Sequence, residues 1–112
     1  MSKESDYLDT EMERLRVDAV WDRIKRCISG NVLEVGCGSG RMTTKILARP
    51  DVTALRSVDP DQKRLANAQE RVKRAGQHTT TWSHECTYLE DMAYEGRFDT
   101  IVAVNVLEHV EN

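Results

Sequence analysis

The stretch Val32-Leu33-Glu34-Val35-Gly36-Cys37-Gly38-Ser39-Gly40 constrains this chain more than any other. An apolar strand carrying one acid, Glu34, runs directly into glycines at alternate positions, and an amphipathic stretch follows. Glycine has no Cβ, so its backbone turns through positive φ and approaches a bound molecule closely. A strand feeding such a loop into a helix N-terminus makes a cradle for a nucleotide-like ligand. The spacing narrows the choice. The dinucleotide fingerprint G-x-G-x-x-G needs glycine at position 41, and this chain has Arg41 there.

The remaining composition sets limits on what the cradle can serve. With 112 residues the chain is sized for a single domain, 1–112, burying roughly 65% of its unfolded surface. A formal charge of −3, with Lys and Arg spread along the chain, gives no electrostatic footprint for nucleic acid, which is not favoured as a partner. Cys27, Cys37 and Cys86 are odd in number and lack ligand spacing. They read as small apolar side chains in a reducing compartment, with no disulfide and no metal. The charged start, Met-Ser-Lys-Glu-Ser-Asp, is unlike a signal peptide, and the apolar run Ile101 to Val104 is too short to span a bilayer. A soluble, cytoplasmic protein without membrane partners is expected.

Hydrophobic periodicity places the elements. Residues 1–9 are polar and expected to be disordered, and Thr10 with Glu13 reads as a capping box opening a helix over 10–29. Leu15, Val17, Val20, Trp21, Ile24, Cys27 and Ile28 would form its buried face, with Gly30 as its stop. A strand over 32–35, the glycine loop and a short helix to about Ala48 come next, closed by Pro50. Residues 53–58 predict a second strand ending at Asp59. Leu65, Ala68, Val72 and Ala75 predict a helix, with Lys73 and Arg74 in its last turn and Gly76 beyond it. A third strand is expected over 79–84, a helical turn near Glu90 and a fourth strand over 98–106. Strands alternating with helices imply βαβ units and a parallel sheet.

Asp59 follows Gly40 by nineteen positions, at the end of the second strand. A carboxylate there accepts hydrogen bonds from the two hydroxyls of a ribose held above the glycine loop. The structural alternative is a helix cap ahead of Pro60, although Asp61 is available for that task. The segment Phe98-Asp99-Thr100-Ile101-Val102-Ala103-Val104-Asn105-Val106-Leu107-Glu108-His109-Val110 supplies a third signal. With the G-x-G-x-G loop and Asp59 it resembles, in order and spacing, the class I S-adenosylmethionine-dependent methyltransferases across residues 28–112.

That resemblance implies an α/β fold, a Rossmann-like parallel sheet with strand order 3-2-1-4 and flanking helices. It also implies S-adenosylmethionine as cofactor, with S-adenosylhomocysteine as product. Gly36, Cys37, Gly38 and Gly40 would form the loop beneath the cofactor, Asp59 and Pro60 the ribose site, and Asn105 would face the methionine end. Where the family often has Gly-Asp-x-x-x-Leu after the third strand, this chain has Tyr88 in the acid's place. Adenine recognition would then fall to backbone groups at Tyr88 and Leu89 and to the Tyr88 ring. Glu34 fits the same cofactor, because a carboxylate that would repel a pyrophosphate is tolerated beside an ammonium and a sulfonium. The alternative is a structural acid accepting backbone N–H bonds within the loop.

Methyl transfer rests mostly on proximity and orientation, so no catalytic residue is assigned. His109 is open as a general base or as a packing residue at a helix start, and His78, His84, Trp21 and Trp82 read as structural. The acceptor is expected to be a small molecule attacked through O, N or C. The resembled sheet has seven strands and this chain would supply four, so the domain reads as incomplete. The apolar outer edge of the fourth strand makes self-association a further expectation. A non-catalytic cofactor-binding or subunit-interaction module is the alternative function.

Overall fold

The computed structural model describes residues 3–93 and 96–103. Helix α1 (Lys3–Ile24) runs into a 3-10 turn (Lys25–Cys27), strand β1 (Gly30–Val35), helix α2 (Arg41–Leu47) and strand β2 (Val52–Val58). Helix α3 (Gln62–Ala75), strand β3 (Thr81–Glu85), a second 3-10 turn (Leu89–Asp91) and strand β4 (Thr100–Val102) complete it. The four strands form one parallel sheet in the expected order β3-β2-β1-β4.

The core lies where the apolar faces of the helices meet the sheet. Ile28, Val32, Ile46 and Leu55 are fully buried, with Val17, Met42, Leu47, Val52, Val72 and Val102 around them and Trp21 and Trp82 packed alongside. Each such aliphatic side chain contributes roughly 1.5–3 kcal/mol through burial. Helix α3 follows its sequence signals closely. The Asp61 carboxylate caps it by accepting from the Lys63 and Arg64 N–H groups, Leu65, Ala68 and Val72 are buried, and Gly76 ends it at φ +96°.

The N-terminal region departs from expectation. Helix α1 begins at Lys3 rather than Thr10 and ends at Ile24. No glycine or proline precedes Thr10, so nothing stops helix propagation, and acids at 4, 6 and 9 favour a helix N-terminus. The capping box fails because Glu13 is engaged elsewhere, by Ser39 and Arg41. Leu15 and Cys27 are exposed, whereas Val17 and Ile28 are buried as expected. Gly30 is not a helix stop but the first residue of β1. At φ +73° it faces the Asp99 carboxylate, which would lie 2.2 Å from any Cβ placed there.

The third strand starts two residues later than expected. Thr80 is buried beside it, donating its hydroxyl to the Val52 carbonyl at 3.1 Å. Strand β4 is anchored at its start, where Asp99 accepts the Asn31 N–H at 2.8 Å and returns its own N–H to the Asn31 carbonyl. Positions 104–112, including Asn105 and His109, lie outside the described residues. Among the described residues, no helix is long and apolar enough to cross a membrane.

Candidate functional site

The glycine loop leaves the end of β1 with positive φ at Gly36, Gly38 and Gly40, at +79°, +55° and +87°. Its course is set by three backbone contacts. The Gly36 N–H donates to the Val58 carbonyl, the Gly40 N–H closes a turn onto the Cys37 carbonyl, and the Thr44 N–H bonds the Gly40 carbonyl to begin α2. Two of the glycines serve different purposes. A Cβ on Gly40 would stand 2.7 Å from the Ala68 Cα, so this glycine lets α3 pack against the loop. A Cβ on Gly38 would meet nothing within 4 Å, so this glycine borders open space.

Asp59 sits at the adjoining end of β2 and is 2% exposed. Its Oδ2 accepts the Gly38 N–H at 3.3 Å, and its Oδ1 accepts the Asp61 N–H at 2.8 Å. The Cys37 thiol lies 3.8 Å from the same Oδ2. Burial, then the Glu34 and Asp59 carboxylates, push that thiol well above the usual range and keep it protonated. The segment after β3 is drawn to this point too. The Thr87 N–H donates to the Asp59 carbonyl at 3.1 Å, and the Cys86 thiol reaches the carbonyl of exposed Pro60 at 3.5 Å. Tyr88 and Leu89 follow with exposed side chains.

Glu34 lies deeper, 2% exposed, between the sheet and α2. Its Oε1 accepts from the Thr43 hydroxyl at 2.6 Å and the Ser57 hydroxyl at 2.8 Å. Ser57 in turn accepts from Trp82 Nε1 at 3.0 Å, which gives the indole on β3 a polar partner on β2. The partners of Glu34 are therefore hydroxyls, not backbone N–H groups of the loop; Asp59 takes a loop N–H instead. Glu34 Oε2 is buried with no hydrogen-bond partner. Burial dominates its titration and raises the pKa to about 7, against the lowering by Thr43 and Ser57, with Asp59 adding to the rise.

The structure thus brings Gly36, Cys37, Gly38, Gly40, Asp59 and Pro60 to the same ends of adjacent strands, with Tyr88 and Leu89 just after the third. Thr43, Ser57, Ser39 and Glu13 also belong to this assembly; the sequence assigns none of them a role in the site, and gives Glu13 only the role of a helix cap. Only the motif-like order of Thr43 behind the glycines offered a signal for any of them. The others depend on partners brought from distant elements.

A parallel sheet ordered 3-2-1-4, with a glycine loop after its first strand and an acid ending its second, defines the class I methyltransferase type of α/β fold. The chain belongs to the methyltransferase domain family, whose model matches residues 33–112. It is 34% identical over 89 residues to a ubiquinone biosynthesis O-methyltransferase of Nitrobacter winogradskyi, covering 79% of this chain and 32% of that protein. It is 26% identical over 106 residues to the mitochondrial ubiquinone biosynthesis O-methyltransferase of Saccharomyces cerevisiae, covering 95% and 33%. The chain therefore spans about a third of the length of these relatives.

Solved structures agree. The N-methyltransferase NodS from Bradyrhizobium japonicum, in complex with S-adenosyl-L-homocysteine, superposes with a TM-score of 0.63 at 26% identity, over 93% of this chain and 47% of that one. Magnesium protoporphyrin IX methyltransferase from Synechocystis, with bound S-adenosylmethionine, gives 0.68 at 20% identity, over 88% and 47%, and speaks for the fold alone.

Proposed function

We propose that this chain binds S-adenosylmethionine and takes part in methyl transfer to an O, N or C nucleophile of a small-molecule acceptor. The observation that carries the reading is the open space above Gly38, set beside a carboxylate that already holds the Gly38 N–H. An ionised carboxylate offers about four lone-pair positions. Asp59 accepts from the Gly38 and Asp61 N–H groups, which orient it, and more weakly from the Cys37 thiol, and Oδ1 keeps capacity for a ribose hydroxyl.

Gly36, Cys37, Gly38 and Gly40 would form the surface on which the cofactor rests. Pro60 would stiffen the chain next to the ribose, and backbone groups at Tyr88 and Leu89 would meet the adenine beside the Tyr88 ring. Glu34 supports the loop from beneath through Thr43. Its Oε2, buried with no hydrogen-bond partner, would be an acceptor for a cationic methionine end. Asn105, assigned to that same end, lies outside the described residues. The bound sulfonium supplies an already electrophilic methyl group. Such a methyl group would need only an acceptor nucleophile aligned for in-line displacement. The residues of this chain contribute placement, which is the larger part of catalysis for such a displacement.

Calorimetric titration with S-adenosylmethionine, S-adenosylhomocysteine and NAD tests the reading, with tighter binding of the first two expected. Preferential NAD binding overturns it. The family match supports an enzyme, and a cofactor-binding module without its own turnover is the second reading. Radiolabelled methyl incorporation into candidate small acceptors separates the two. The proposal extends to a reducing, cytoplasmic setting, which the three free cysteines support. It also includes self-association through β4, supported by Ile101 standing 63% exposed on this edge strand of the described sheet.

A further inference from the structure

Ser39 is the one residue between the last two glycines of the loop, and it is gripped from two helices. Its hydroxyl donates to Glu13 Oε1 on α1. Its carbonyl accepts from Arg71 Nε on α3 at 3.0 Å. Glu13 serves a second partner, since the Arg41 Nε lies 3.6 Å from the same oxygen. Arg41 stands where a dinucleotide loop would have its third glycine. Here the side chain turns back to α1, with 15% of it exposed.

Glu13 is thus the counter-charge for two arginines that flank Ser39. Burial and the neighbouring charges of Arg41 and Arg74 hold the Arg71 pKa below its usual value, and Glu13 opposes that effect. A second ion pair, Lys45 to Asp18 at 2.9 Å, ties α1 to α2 one turn further on. These contacts join the N-terminal helix to the turn that closes the loop, although the two are far apart in sequence. Surface ion pairs contribute little singly. A charged acceptor shared by a hydroxyl and a guanidinium, both partly buried, has more influence on a flexible glycine turn.

We propose that Glu13 and Arg71 are positioning residues: by holding Ser39 from opposite sides they set the Gly38–Gly40 turn, so that α1 controls cofactor affinity. This inference rests on the cofactor reading above. Both act through Ser39, Glu13 at its hydroxyl and Arg71 at its carbonyl. A loop with positive φ at three positions has many alternative conformations in the absence of such anchors. Fixing the bound shape beforehand reduces the ordering cost of binding.

The experiment uses the full chain and compares wild type, Glu13→Ala, Ser39→Ala, the double variant, Glu13→Gln and Arg71→Met. Calorimetry with S-adenosylhomocysteine reads affinity, and amide hydrogen exchange without ligand reads the loop. Glu13→Ala and Ser39→Ala are each expected to weaken binding about fivefold, the scale of one charge-assisted hydrogen bond. The double variant is expected to be no weaker than Glu13→Ala, because the Ser39 hydroxyl acts only through the contact that Glu13→Ala already removes. Glu13→Gln, which keeps an acceptor for the Ser39 hydroxyl, should recover part of the loss. Amides at 38–40 should exchange faster in both single variants while those of β2 stay protected.

Effects that multiply in the double variant, or unchanged loop exchange in Ser39→Ala, overturn the proposal. Should Glu13→Ala unfold, Ser39→Ala and Arg71→Met decide it alone, since each removes one end of the grip. Wild type that fails to bind S-adenosylhomocysteine overturns the cofactor reading itself. Wild type that binds, with all variants binding equally well, overturns only the positioning role.

Discussion

Asp59 accepts the Gly38 N–H at 3.3 Å, so the end of the second strand holds the middle of the turn that leaves the first. The bond makes one carboxylate both a structural anchor and the proposed ribose ligand. Asp59→Ala would strip the acceptor from two backbone N–H groups, Gly38 and Asp61. A stability loss of about 2 kcal/mol is expected from that. Affinity for S-adenosylhomocysteine should fall at least about tenfold, beyond what loop disorder alone produces. Urea denaturation and calorimetry measure the two separately.

The two glycines at 38 and 40 should fail in different ways. Gly40→Ala drives a Cβ to 2.7 Å from the Ala68 Cα at φ +87°, against backbone that cannot yield cheaply. A loss of about 3 kcal/mol is expected from overpacking plus left-handed strain. Gly38→Ala meets no atom within 4 Å, so strain of about 1 kcal/mol is its main structural cost. Its methyl group enters the proposed cofactor space. Thermal melts should therefore be worse for Gly40→Ala, and ligand titration should be worse for Gly38→Ala when each is measured on folded protein.

Glu34 makes stability depend on pH in an identifiable window. Its folded pKa, about 7, stands above its ordinary value of 4.5. The folded state therefore binds the extra proton, and this contribution is fully present below about 4.5 and lost as pH rises through about 7. Full ionisation costs roughly 3 kcal/mol by linkage. Glu34→Gln cannot ionise, so its stability should decline less between pH 5 and pH 8 than that of wild type. Denaturant midpoints at about these two pH values check the difference in slope.

The exposed Ile101 side chain gives β4 an apolar outer position. Ile101→Lys should reduce concentration-dependent association, read as a lower mean mass by light scattering. A wild-type chain that stays monomeric across the concentration range removes this part of the proposal.

Much of the fold was legible because it is written in local rules. The Leu65, Ala68 and Val72 spacing gave α3 its buried face, Asp61 its cap and Gly76 its end. The loop glycines and the acid at Asp59 appear where the strand–loop–helix pattern requires them. Helix α1 starts at Lys3 although Thr10 and Glu13 satisfy a capping box in sequence, because Glu13 finds its partner across space in Ser39. Strand β3 begins at Thr81 rather than at 79, since Thr80 is β-prone yet spends its hydroxyl on the Val52 carbonyl.

By itself, then, the sequence determined the strand–loop–helix order, the parallel sheet, the glycine turn and the acid that follows it. These depend on backbone freedom and on hydrophobic period, which operate over a few neighbouring residues. Tertiary structure alone decided that Glu34 is buried against Thr43 and Ser57, and that Glu13 and Arg71 hold Ser39. Those pairings join residues 9 to 32 positions apart. A hydrogen-bond partner is chosen by which elements the crossovers bring together, and no local pattern in the chain encodes that choice.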